Sequence, residues 1–229
     1  MSGSFAAMSS LTNLSGLENW DTSNVTNFYT LFSSNEKLTD ISALLNWDTS
    51  NVTNMDGIFQ GTISLTNLHG LENWDTSNVQ SMMGLFMIGA TRYASGDRST
   101  LTDISALANW DVSNVKSMTY MFQNNTQLSN ISALSNWNVS SVEDMLSMFY
   151  RDLSLTNLNA LSNWNVSNVS TFRGMFENCT SLTNVNAINN WNIKSNANFK
   201  NMFNNTPTHP TFNKVLGTWN SAGTFTPSN

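Results

Sequence analysis

The side chains that could do chemistry are few and scattered. His69 and His209 stand far apart, and Cys179 is the single cysteine. A zinc site gathers three or four such ligands, so this set offers no cluster, and one cysteine allows no internal disulfide. Neither a glycine-rich phosphate loop nor a nucleophile motif is present. Carboxylates do form a column: Asp21, Asp48, Asp75 and Asp111 recur at steps of 27, 27 and 36 residues, and Asn138, Asn165 and Asn192 take the same place later. Facing outward from adjacent strands, four carboxylates about 5 Å apart would repel one another. Calcium, which prefers oxygen ligands, could relieve that. The competing reading is that each side chain closes its own local turn. The change to Asn in later coils favours it, because the charge is dispensable there. No cofactor is expected.

A second candidate is an irregular stretch within residues 87–100, which carries Arg92, Tyr93 and Arg98. Loops inserted into one repeat commonly carry binding function, and Arg and Tyr are enriched at interface hot spots. Yet a surface loop is also tolerated at little cost in closure entropy.

Those residues must be positioned by a repeat. Trp20, Trp47, Trp74, Trp110, Trp137, Trp164, Trp191 and Trp219 divide the chain at steps of 27, 27, 36, 27, 27, 27 and 28. A fixed period of this size marks stacked repeats. The Phe column runs Phe32, Phe59, Phe86, Phe122, Phe149, Phe176 and Phe203, and Phe5 belongs to it. The first Leu column runs Leu11, Leu38, Leu65, Leu101, Leu128, Leu155 and Leu182. An Asn precedes each Trp from Asn19 to Asn190, and the pattern predicts a buried, self-satisfying Asn ladder there.

Within a coil, Val52, Met55, Ile58 and Phe59 fall at i, i+3, i+6 and i+7, one face of a helix of about two turns. Trp47 to Ser50 alternates in and out, as a very short strand would. The Leu65, Leu68, Leu71 arc has a period of three and suggests an extended or 3₁₀ path. The fold class read from this is α/β: a curved solenoid of about seven coils, each with a short strand and a short helix. Curvature follows because strands stack at ~4.8 Å and helices at ~8–10 Å, which would leave the strands concave. The Thr22, Thr49 and Thr76 column gives way to Val112, Val139, Val166 and Ile193, so it reads as inward-facing rather than as an ice-binding row.

One domain is expected over residues 1–229: a partial N-terminal coil at 1–19, six repeats over 20–190 with the insert, and a degenerate capping repeat and tail at 191–229. The cap holds Pro207, His209, Pro210 and Phe212.

The string from Asn46 to Met55, Asn-Trp-Asp-Thr-Ser-Asn-Val-Thr-Asn-Met, with the Phe after it and the Leu-Thr arc, resembles a known repeat. It is similar to the BspA-like leucine-rich-repeat surface proteins and, within them, to a mycoplasma repeat of unknown function. The resemblance covers roughly residues 5–203. It implies a right-handed solenoid on a bacterial surface, in adhesion or host interaction, with no catalytic motif to carry over.

Composition fits a binding or structural role. Charged residues make up 10% and the net charge is −6. The nine Lys and Arg are scattered, so no basic stripe exists to neutralise phosphates, and nucleic acid is not an expected partner. No apolar run approaches the ~18 residues of a membrane span, so no membrane insertion is expected. The expected place is extracellular or cell-surface, any leader having been removed.

The leading expectation is therefore an adhesion module, not an enzyme, that offers an extended surface to a host or cell-surface protein or glycan. The alternative is a spacer that projects another domain and binds nothing specific. For binding, the sequence points to Arg92, Tyr93, Arg98 and Met87. It adds Tyr120, Tyr150 and Arg151 from columns that drift between coils, along with Tyr29, Lys116, Glu143, Asp144 and Arg173. Oligomeric state is not set by the sequence.

Overall fold

The structure is a computed structural model and describes residues 1–89 and 99–228. The chain rewinds so that each sequence column lies over itself. Phe5, Phe32, Phe59, Phe86, Phe122, Phe149, Phe176 and Phe203 stack in that order, with ring centroids 5.1 to 5.9 Å apart. The Leu and Val columns pack around them in one continuous core. This is a repeat solenoid, and each coil is stabilised mainly by its neighbours.

Two hydrogen-bond devices hold the register. The indole N–H of Trp47 donates to the carbonyl of Leu17 in the preceding coil at 2.8 Å, and Trp74, Trp110, Trp137, Trp164 and Trp191 repeat this to Leu44, Leu71, Leu107, Leu134 and Leu161. On the other side, the Thr22, Thr49 and Thr76 hydroxyls point inward and donate to the Asp48, Asp75 and Asp111 carbonyls of the next coil, each at 2.9 Å. All three threonines are buried.

The segment expected to be helical is not a helix, and no α-helix occurs among the described residues. From Phe28 to Ser34, alternate N–H groups (Phe28, Thr30, Phe32, Ser34) donate to Asn54, Asp56, Ile58 and Gln60 of the next coil. The intervening N–H groups of Leu31 and Ser33 close four-residue turns onto Phe28 and Thr30. Each coil thus makes two successive turns in a strand-like ladder.

Such turns end with a residue of positive φ, and two columns carry it. One runs Gly3, Thr30, Gly57, Gly84, Tyr120, Ser147, Gly174, Asn201; the other runs Ala7, Ser34, Gly61, then Asn124, Arg151, Asn178, Asn205. The reason a helix fails is spacing: rings stacked at under 6 Å leave no room for helices that need ~8–10 Å. The α/β class is corrected accordingly, and with it the argument that a helix side forces curvature.

The expected strand at Trp47 is also absent. Trp47 and Thr49 are buried and Asp48 is exposed, so the alternation is real, but the parallel bridges lie elsewhere. They link Asn27, Asn54, Ser81, Ser117, Asp144, Thr171 and Asn198 in sequence, and pair Asn13 with Asp40, Asn67 with Asp103 and Asn157 with Asn184. The Leu arc holds 3₁₀ turns at Ser42–Leu44, Ser105–Leu107, Ser132–Leu134, Asn159–Leu161 and Asn186–Ile188.

The Asn column before Trp is exposed in every coil from Asn19 to Asn190, so the buried ladder expected there is not formed. The buried polar column lies three residues after five of the Phe instead: Asn35, Thr62, Asn125, Asp152 and Cys179. Its members bond to phenylalanine carbonyls inside the stack. The Asn35 amide donates to Phe5 and Phe32, the Asn125 amide to Phe86 and Phe122, and the Cys179 thiol to Phe149. Asp152 accepts from the Asn125 N–H at 2.9 Å through one carboxyl oxygen, and its other oxygen, Oδ2, has no hydrogen-bond partner.

At the C-terminal end, β1 (Gly217–Trp219) pairs antiparallel with β2 (Phe225–Pro227). This hairpin closes the stack. The Trp219 ring stands edge-on to Phe203 at 88°, and Phe225 edge-on to Phe199 at 86°. The Phe203 N–H, which would otherwise face outward, donates to the Gly223 carbonyl. Gly223 has φ +62°, and a Cβ there would run into the Phe203 backbone, so the turn requires glycine. His209 stacks on Trp219 at 5.0 Å, and burial lowers its pKa.

Candidate functional site

The carboxylate column resolves into local turns. Asp21, Asp48 and Asp75 each accept from both the hydroxyl and the amide of the serine two residues on, Ser23, Ser50 and Ser77. Asp111 accepts from the Ser113 amide. Those bonds, the hydroxyl's first, hold Asp21, Asp48 and Asp111 below the usual carboxylate value. Among the described residues no group of three or more His, Cys, Asp or Glu is placed to hold a metal ion. In each carboxylate one oxygen, Oδ1, takes the bonds that close the turn.

The drifting columns lie on the surface: Tyr29, Lys116, Glu143, Arg151 and Arg173 are exposed, while Tyr120, Asp144 and Tyr150 are half-buried. On the face made by the paired turns, Met87, Tyr120 and Tyr150 line one open groove of about 550 Å³, with Gln60, Gln123, Leu146, Arg173, Glu177 and Asn201 around them. Tyr150 also borders a neighbouring hollow of about 330 Å³ with Arg151, Asn178 and Asn205. The structure thus brings together five residues singled out from sequence, Met87, Tyr120, Tyr150 and Arg173 in the groove and Arg151 beside it.

Arg92, Tyr93 and Arg98 lie outside the described residues. The insert nevertheless leaves the stack beside the groove, because Met87 and Gly89 both line it. Ser99, where the described chain resumes, is buried and bonds to Asn125.

Sequence reasoning missed Gln60, Gln123, Glu177 and Asn201. They join the groove because the first positive-φ column and the column three residues later meet across adjacent coils, a juxtaposition that no single coil displays. Glu177 accepts from the Asn204 amide at 2.8 Å, which leaves its other oxygen free to accept.

Tyr120 and Arg151 occupy the two positive-φ columns, at φ 60° and 61°. Bulky L-residues rarely adopt this conformation, and it costs about 1–2 kcal/mol. Other coils place Gly57, Gly84 or Gly174 where Tyr120 stands, and Gly61, Asn124 or Asn178 where Arg151 stands. Tyr120 at the groove and Arg151 at the neighbouring hollow therefore stand in place of more relaxed residues.

Among the described residues no helix is long and apolar enough to cross a membrane. No curated protein matches the chain. A leucine-rich repeat protein from Bacteroides ovatus, known from its crystal structure, is similar at 15% identity and a TM-score of 0.24, over 80% of this chain and 56% of that one. The chain therefore spans little more than half of that protein's length, and the solenoid stands on its own ladders rather than on this likeness. The sequence matches the family described as Mycoplasma protein of unknown function, DUF285, over residues 1–99 and 93–219, and the chain belongs to that family.

Proposed function

We propose that this chain is a cell-surface binding module of adhesion type, and that its binding surface is the groove containing Met87, Tyr120 and Tyr150. The BspA-like relationship and right-handed winding implied by the resemblance belong to this reading, as does the extracellular location. The observation that carries it is Tyr120, held at φ 60° on the groove wall in a column that is glycine in four other coils and a smaller residue, Thr30, Ser147 or Asn201, in the rest. Strain of this kind clusters at functional sites.

The test is adhesion of the intact chain to mucin, matrix proteins and cells, compared with two variants. One replaces Tyr120 by Asn and Tyr150 by Gln, residue types that other coils carry at those columns. The other deletes 90–98. The sequence alone suggests deleting 88–96, but Ile88 is buried and its N–H and carbonyl bond to Gln123 and Asn124, so the cut belongs after Gly89. Loss of adhesion in the tyrosine variant is expected. Undiminished adhesion would remove the groove from the reading, and silence of the intact chain on every surface would favour a spacer.

A further inference from the structure

The groove differs in shape from a protein-docking hot spot. Protein interfaces seat their Tyr and Arg anchors in closed, desolvated pockets, and a peptide can also add as a strand to a free sheet edge. Neither is offered here. The groove is open, and the backbone N–H groups along this face are already used: Tyr120 donates to Leu146, Ser147 to Arg173 and Gly174 to Lys200 of the next coil, and Tyr150 closes a turn onto Ser147. Binding must therefore use side chains alone.

Beside the apolar Met87 and Leu146, those side chains are two tyrosine rings and a set of hydrogen-bonding groups: Gln123, Asn201, Arg173 and Glu177. A tyrosine presents an apolar face and a polar tip. The faces of pyranose rings carry C–H groups that pack on such a ring, and their hydroxyls both donate and accept. Gln123 and Asn201 can do both in return, Arg173 only donates, and an ionised Glu177 only accepts. One arginine and one glutamate in the lining give no excess of positive charge for a polyphosphate. The coil step, read from ring centroids 5.6 to 5.9 Å apart between Phe59 and Phe176, is close to the advance of one sugar residue in an extended chain. Successive coils can thus meet successive sugars.

We propose that the groove binds an oligosaccharide laid along the stack, with Tyr120 and Tyr150 as stacking platforms and Gln123, Asn201, Arg173 and Glu177 reading its hydroxyls. This rests on the groove being the binding surface of the proposed adhesion module. It narrows the partner to sugar rather than polypeptide.

The intact chain is tested on a printed panel of neutral and acidic oligosaccharides, and on mucin-coated and matrix-coated surfaces before and after mild periodate oxidation, which opens sugar diols. The expected result is binding to at least one oligosaccharide class and loss of surface binding after periodate. Tyr120→Asn and Tyr150→Gln should each weaken that binding about tenfold or more while the thermal midpoint holds. Adhesion that survives periodate yet is lost in the tyrosine variants would overturn the sugar assignment and leave the binding surface standing. Binding to no oligosaccharide and to no surface would overturn both. Sugar binding that the tyrosine substitutions leave unchanged would overturn the assignment of this groove.

Discussion

Replacing Asp152 by Asn should stabilise the protein at neutral pH. Asp152 is fully buried, and burial pushes its carboxyl well above the usual range. Its Oδ2 has no hydrogen-bond partner, while at the same column Asn35 and Asn125 each donate two bonds to phenylalanine carbonyls. An Asn at 152 keeps an oxygen for the Asn125 N–H and presents an amide toward the Phe122 and Phe149 carbonyls, which it shares with the Asn125 amide and the Cys179 thiol. A buried unsatisfied polar atom costs about 1–3 kcal/mol and a hydrogen bond contributes about 1 kcal/mol, so a gain of roughly 2 kcal/mol is expected at neutral pH. For a chain of this length that is about 4–8 °C in thermal midpoint.

The sign with pH follows from linkage. A raised folded-state value means that the unfolded chain holds fewer protons, so the wild type loses stability as pH climbs from the ordinary Asp value near 3.9 toward the raised one. The gap between variant and wild type should therefore be smallest near pH 4 and widen upward. Asp21, Asp48 and Asp111 have lowered values, so their contribution is lost as pH falls. That loss is common to both proteins and drops out of the difference. Cys179, in the next coil, is also pushed up by burial first and by the Asp152 charge second, so its thiol stays neutral through this range. Thermal melts by circular dichroism across pH decide the matter. A variant no more stable than wild type at neutral pH, or a gap that fails to shrink on acidification, would refute the account of this column.

Two further substitutions probe the frame. Trp137→Phe removes the indole bond to the Leu107 carbonyl from a side chain only 4% exposed, and should cost about 2–4 kcal/mol. Trp20→Phe, at a ring 42% exposed, should cost much less, and equal losses in chemical denaturation would mean the indole bond contributes nothing. Arg151→Asn relieves a positive-φ position that Asn124, Asn178 and Asn205 fill in other coils. It should raise stability by about 0.5–1 kcal/mol, and a fall in the midpoint would show that the Arg151 side chain supports the fold.

The stacked columns were legible because they are chemically uniform: a Phe or Trp at one step of 27 can only lie over its copies. The two-turn helix was misread because Val52, Met55, Ile58 and Phe59 satisfy a helical period and equally satisfy two consecutive four-residue turns. The sequence did hold the deciding signal. Gly57, Gly84 and Gly174 recur at one column inside the supposed helix, where each would cost about 1 kcal/mol, whereas a positive-φ turn end favours glycine. The buried polar column was illegible for the opposite reason. It is filled by Asn35, Thr62, Asn125, Asp152 and Cys179, which share only the ability to meet a carbonyl or an N–H inside the stack. The exposed Asn beside each Trp is uniform and was mistaken for it.

This division bears on the site. The backbone ladder binds coil to coil whatever side chains stand at the positive-φ columns and three residues beyond, so those columns are free to drift without loss of the frame. Free drift alone would favour relaxed residues, Gly or Asn, at φ near 60°, and most coils have them. A spacer has no need of Tyr120 or Arg151 at the strained positions, since Gly84 and Asn124 show that the same backbone is made without them. A binding surface does have such a need, because a rigid frame with a regular step can aim a ring only from the columns that face outward. Ala7, Thr30, Ser34 and Ser147 show that small residues also accept this backbone, but the two bulkiest side chains of these columns, Tyr120 and Arg151, both stand beside Tyr150, as a surface selected for contact would keep them.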